Sequence, residues 1–84
     1  MKAVTYSRSA LRSLSRMPAN QARLIQAKIE QYAARPDGLA NNVKALKGAD
    51  GYLRLRVGDW RVLFSETGEI IAIIRIAPRG QVYN

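Results

Sequence analysis

The run from Tyr52 to Ser65 constrains this chain more than any other part of it. Leu53, Leu55 and Val57 alternate with Tyr52, Arg54 and Arg56; Gly58-Asp59 interrupts; then Trp60, Val62 and Phe64 alternate with Arg61, Leu63 and Ser65. A period of two is the mark of strands, and a glycine-containing pair between two such runs reads as a hairpin turn. With Gly58 and Asp59 as the loop residues, Val57 faces Trp60, Arg56 faces Arg61, Leu55 faces Val62 and Arg54 faces Leu63. One face of the hairpin then collects Leu53, Leu55, Val57, Trp60, Val62 and Phe64, and the other collects Arg54, Arg56 and Arg61 among Tyr52 and Leu63. Like charges directly opposite each other weaken a sheet, so Arg56 beside Arg61 asks for a functional reason.

The remaining elements fit around this hairpin. Lys2 to Tyr6 is β-prone, and Ser7 offers an N-cap oxygen to a first helix over Arg8 to Arg16, with Ala10, Leu11, Leu14 and Met17 apolar and Arg8, Arg12 and Arg16 on an opposing stripe. Pro18 ends that helix and opens a second one, to about Arg35, with Ala22, Ile25, Ile29, Tyr32 and Ala33 on one face. Pro36, Asp37 and Gly38 stop it. Asn41-Asn42 to Gly51 is a polar connection that carries Val43-Lys44-Ala45-Leu46-Lys47-Gly48, a candidate short strand. Thr67-Gly68 turns the chain into Ile70 to Ile76, an apolar strand suited to a sheet interior, which adds Ile71 and Ile73 to the helix-packed face. The expected fold class is α+β: an N-terminal strand, an antiparallel helix pair and an antiparallel three-stranded meander. In this alternation Arg75 falls on the helix-packed face, so either it pairs with an acid or the strand bulges there.

Composition narrows the chemistry. A chain of 84 residues with 48% hydrophobic side chains supports one small folded core, expected as a single domain over residues 1–84. It has no Cys and no His, which removes disulfides, thiolate zinc sites and imidazole acid–base chemistry; no cofactor or metal is expected. Fourteen Lys and Arg against six Asp and Glu give a net charge of +8, the electrostatics of a protein with a polyanionic partner. Only Lys2, Lys28, Lys44 and Lys47 are lysines, and the arginine bias favours fitted, bidentate phosphate contacts. The longest uncharged apolar run, Ile70 to Ile74, is far short of the roughly 20 residues of a membrane span. The N-terminus has no apolar leader pattern, so a cytoplasmic protein is expected.

Arg54, Arg56 and Arg61, close to a chain end with Arg75, Arg79 and Tyr83, form the candidate site. The plainer alternative is a solvated sheet face, but such faces mix charge signs, and Asp59 is the only acid in the hairpin. Arg8, Arg12 and Arg16 read either as the wet side of a helix or as an extension of a phosphate-binding surface. Tyr52 and Trp60 read as structural, with Trp60 in the core.

In its order of elements and its motifs the whole chain resembles the RelE/ParE superfamily of bacterial type II toxins. The resemblance is carried by Thr5-Tyr6-Ser7-Arg8-Ser9-Ala10-Leu11, by Val43-Lys44-Ala45-Leu46-Lys47-Gly48, by the run from Tyr52 to Phe64, and by Arg79-Gly80-Gln81-Val82-Tyr83. It implies a metal-independent, ribosome-dependent mRNA endoribonuclease of the RelE kind, in which a ribose 2′-OH attacks the adjacent phosphate. On this resemblance Arg61, Arg79 and Tyr83 are catalytic, with Arg61 on the scissile phosphate, and Arg54, Arg56, Lys44 and Lys47 bind RNA. The implied partners are an adjacently encoded RelB-like antitoxin, the 70S ribosome and mRNA; no membrane partner is implied, and both a homodimer and a toxin–antitoxin hetero-oligomer stay open.

The chain also departs from the pattern of many relatives. Ala77-Pro78-Arg79 stands where they have Gly-His-Arg, Tyr52 replaces a lysine, and Gly80-Gln81 replaces an Arg-Glu pair. The proton donor to the leaving 5′-oxygen is therefore unassigned. ParE-type toxins, which share the fold and poison DNA gyrase, are the alternative, and an inactive RelE-fold protein that binds RNA or antitoxin is a third.

Overall fold

The computed structural model describes residues 2–46 and 51–80. Strand β1 (Ala3–Tyr6) leads into α1 (Arg8–Arg16) and α2 (Ala19–Ala34); a 3₁₀ segment (Pro36–Asn42) then delivers β2 (Val43–Ala45), β3 (Tyr52–Val57), β4 (Trp60–Glu66) and β5 (Ile70–Pro78). The expected meander, β3-β4-β5, is the centre of a five-stranded sheet of order β1-β5-β4-β3-β2. β1 pairs parallel to β5 at one edge and β2 antiparallel to β3 at the other. The candidate strand at residues 43–48 is shorter than its motif, covering Val43–Ala45, and Lys47 and Gly48 lie outside the described residues, as does Tyr83. No helix among the described residues is long and apolar enough to cross a membrane.

The hairpin register is the one that alternation dictates: Val57↔Trp60, Arg56↔Arg61, Leu55↔Val62 and Arg54↔Leu63. Gly58 takes φ 57° and no described non-glycine residue has positive φ, so the turn is positive at its first loop position, where only glycine is unstrained. The helices cover the inner face. Ala10, Leu14 and Met17 from α1 and Ile25, Ile29, Tyr32 and Ala33 from α2 bury against Leu55, Val57, Val62, Phe64, Ile71, Ile73 and Ile76. Tyr32 and Phe64 meet edge to face, with ring centroids 5.3 Å apart. Leu11, expected in this core, is 53% exposed. Helix α1 is only nine residues long and lies on β5, so its buried stripe is as narrow as Ala10 and Leu14, and Leu11 falls beyond it. Trp60 is half-buried rather than interior, because it packs on the core rim and its indole Nε1 donates to Gln21 Oε1 at 2.9 Å.

A β-bulge decides the placement of Arg75. Phe64 pairs with Ile73, but Leu63 pairs with Arg75, so Ile74 is an extra residue and the alternation of β5 changes phase there. Ile71, Ile73 and Ile76 stay on the helix side, whereas Arg75 joins Leu63 on the open face. The bulge, one of the two expected outcomes for Arg75, is present. Ser7 secures it: its Oγ accepts from Ala10 N as the α1 N-cap and donates to the carbonyl of Ile74 at 2.5 Å.

Candidate functional site

Across the open face the strand register lays out two rows. Lys44, Arg54, Leu63 and Arg75 form one; Arg56, Arg61 and Ala77 form the other. Asn42, the last residue of the 3₁₀ segment, directly precedes Val43, which pairs with Leu55, and shares a pocket with Arg56. Leu39, buried from the 3₁₀ segment, and Val43, packed on the core, anchor both sides of Asn41-Asn42 and hold that pair at the edge of the basic face. Asn41, Asn42, Lys44, Arg54, Arg56 and Arg61 together line a small pocket of about 90 Å³. No carboxylate is among the described residues that line it.

Arg61 sits at the focus of this cluster and is only 9% exposed, the one charged residue among the described residues that is buried. Its Nη1 donates to the carbonyls of Gly58 and Trp60, both at 2.9 Å, so the guanidinium is braced against its own hairpin. Burial pushes its pKa down; Arg54, Arg79 and Arg56 push the same way, and Asp59 opposes them. A guanidinium remains charged even so, and the consequence is a desolvated cation held among other cations. An anion at this position relieves both penalties at once. Arg79 belongs to the same cluster because its backbone N–H donates to the Asp59 carbonyl at 2.7 Å, tying the end of β5 to the hairpin tip.

A family model for the ParE toxin of the type II toxin–antitoxin system parDE matches residues 4–83. The chain belongs to the ParE toxin family. Toxin RelE3 of Methanocaldococcus jannaschii is 26% identical in an alignment 83 residues long that covers 96% of this chain and 94% of that protein. The archaeal RelE–RelB complex from Pyrococcus horikoshii contains a chain that superposes with a TM-score of 0.76 at 23% identity, covering 96% of this chain and 98% of that one. The intact RelBE toxin–antitoxin complex of Escherichia coli gives 0.75 at 12% identity, covering 96% and 99%. At these identities the superpositions speak for the fold, and that fold is the expected one: strand, two helices and a strand meander in one sheet.

Within this toxin fold the residues singled out from the sequence separate clearly. Lys44, Arg54, Arg56 and Arg61 converge on one pocket, and Arg79 is close enough to Arg61 to act on its charge. Lys47 and Tyr83 lie outside the described residues. Arg16 belongs to the other side of the sheet, where it lines a groove with Ser13, Met17, Pro18, Trp60, Ile76 and Pro78. Arg75 joins the open face through the bulge that the sequence left as one of two outcomes, and two residues there escaped the sequence reading. Asn41 and Asn42 looked like loop polarity, and the only signal was their position between two apolar anchors, Leu39 and Val43, just ahead of a lysine-bearing strand.

Proposed function

We propose that this toxin is a ribosome-dependent endoribonuclease that cleaves mRNA by attack of a ribose 2′-oxygen on the adjacent phosphorus. The 2′-O–P bond forms, the P–O5′ bond breaks, and the products carry a 2′,3′-cyclic phosphate and a 5′-hydroxyl. The observation that carries this reading is the buried Arg61 among Arg54, Arg56 and Arg79. Attack on phosphorus concentrates negative charge on the non-bridging oxygens, so donors fixed around that point bind the transition state more tightly than the ground state. Arg61 lies on the scissile phosphate, Arg54 and Arg79 flank it, and Arg56 and Lys44, with Lys47, hold neighbouring phosphates. Tyr83, from the resemblance of the closing segment, positions the 2′-OH. An antitoxin is the regulatory partner, by analogy with the RelB–RelE antitoxin–toxin complex of Methanococcus jannaschii.

Gyrase inhibition is the second reading, favoured by the match to a ParE family model. One pair of assays separates the two. Purified toxin added to ribosomes programmed with a defined mRNA should give cleavage products with cyclic-phosphate ends, and should leave gyrase supercoiling untouched. Intact mRNA together with blocked supercoiling would reverse the assignment.

A further inference from the structure

Arginine and lysine side chains carry donors only, so they satisfy phosphate oxygens and base acceptors such as guanine O6 and N7 but cannot accept from the N6 amino group of adenine. Among the described residues that line the pocket on the open face, Asn41 and Asn42 are the only ones whose side chains both donate and accept. At about 90 Å³ the pocket is well below the roughly 300–1,000 Å³ of a site for a free small molecule. It suits one functional group of a larger ligand, the rest of which lies along the open face. Adjacent strands lie about 4.8 Å apart, so two spacings, from β2 to β3 to β4, set the backbone near Asn42 roughly 10 Å from that of Arg61. The 2′-oxygen that attacks a phosphate is within bonding reach of it, whereas the base of a neighbouring nucleotide lies several ångströms farther out. Asn42, half-buried and fixed by the Val43 anchor, is placed for the base.

We infer that Asn41 and Asn42 read the edge of an unstacked RNA base beside the phosphate held by the arginine cluster, with adenine the preferred base. An asparagine amide matches adenine bidentately, its carbonyl accepting from N6 and its NH₂ donating to N7. Single-stranded RNA exposes such edges because its bases are free to splay out. The inference rests on RNA being the ligand of the proposed function, and it assigns to the amides the recognition of adenine, from whose amino group the arginines cannot accept.

The test is binding of the free toxin to short ribo-oligonucleotides that differ only in one central A, C, G or U, followed by fluorescence anisotropy. Wild type should prefer the adenine oligonucleotide by at least about fivefold, the lower end for one bidentate base contact. Asn42→Ala should abolish that preference while keeping the affinity for the other three. Asn42→Asp, which keeps the shape but removes the donor, should also lose it; circular dichroism confirms that both variants are folded. A wild type with no base preference, or either variant with the full preference, overturns the inference. Cleavage on programmed ribosomes is scored separately, so an adenine preference lost in the variants without any cleavage would defeat the nuclease reading and leave the base contact standing.

Discussion

Removing the Arg61 guanidinium takes away the donor closest to the centre of the positive cluster, and it does so at a position whose fold is fixed by neighbours. Val62 and Trp60 on either side keep their helix-side packing, so Arg61→Ala should remain folded. Its single-turnover cleavage on programmed ribosomes should fall roughly 30- to 1,000-fold, the range for loss of one preorganised donor to a developing oxyanion. Arg61→Lys should recover little of this. A lysine has no fork with which to hold the Gly58 and Trp60 carbonyls and a phosphate together. A lysine variant with the wild-type rate would mean that charge alone, not the braced guanidinium, is what the site uses.

At the scale of elements, two polar devices hold the sheet in register. Ser7 joins the start of α1 to the bulged carbonyl of Ile74. Ser7→Ala should cost about 1–2 kcal/mol for the lost cap, with a further penalty for the carbonyl left without its partner, read as a lower midpoint in urea. Because the bulge sets the phase of Arg75, the same variant should also weaken RNA binding. The second device is Glu66, which accepts from Tyr32 Oη at 2.7 Å and pairs with Lys2, whose Nζ also donates to the Thr67 carbonyl at 2.9 Å. Burial pushes the Glu66 pKa up, but Lys2 and Tyr32 outweigh it and hold the carboxyl below its ordinary value. A depressed folded-state pKa contributes stability above the unfolded value and loses it as pH falls through the folded one. Wild type should therefore lose stability below about pH 4.5, and Glu66→Gln should be less stable at pH 7 but show a smaller loss on acidification. Urea midpoints measured from pH 2.5 to 7 check both statements.

Over the whole molecule basic residues lie on both sides of the sheet: the open face holds Lys44, Arg54, Arg56, Arg61 and Arg75, and the helices carry Arg8, Arg12, Arg16, Arg23 and Lys28. Polyanion binding to the open face releases counterions, and log K for single strands falls against log salt with a slope of about −0.7 per phosphate contacted. Arg56→Ala should reduce the magnitude of that slope by roughly 0.7–1, whereas Arg16→Ala should leave it unchanged. Titrations of labelled single-stranded RNA from 50 to about 300 mM salt give both values; equal slopes for the two variants would mean that the anion does not lie on the sheet.

Local rules were enough for a large part of this toxin. Alternation and the Gly58-Asp59 turn determined the β3–β4 hairpin down to its residue pairs, since a strand period of two leaves only one register that buries Leu55, Val57, Val62 and Phe64. Ser7 and Pro18 set the start and end of α1 because capping and proline geometry act within a turn of chain. The site was legible in the same way, as Arg54, Arg56 and Arg61 share a face by arithmetic alone. What local pattern could not supply was anything that depends on strands distant in sequence. The parallel pairing of β1 with β5 joins residues some 67 positions apart, as in Ala3↔Ile70, and no periodicity encodes it. The bulge at Ile74 exists because the Ser7 hydroxyl meets its carbonyl across the fold and the helices demand Ile76 on their side; alternation continued through that point puts Arg75 on the wrong face. The pocket that Asn42 shares with the arginines likewise follows from β2 docking beside β3. Hydrogen bonding and side-chain packing between remote segments decided these positions, and a linear pattern carries only the preferences of neighbours.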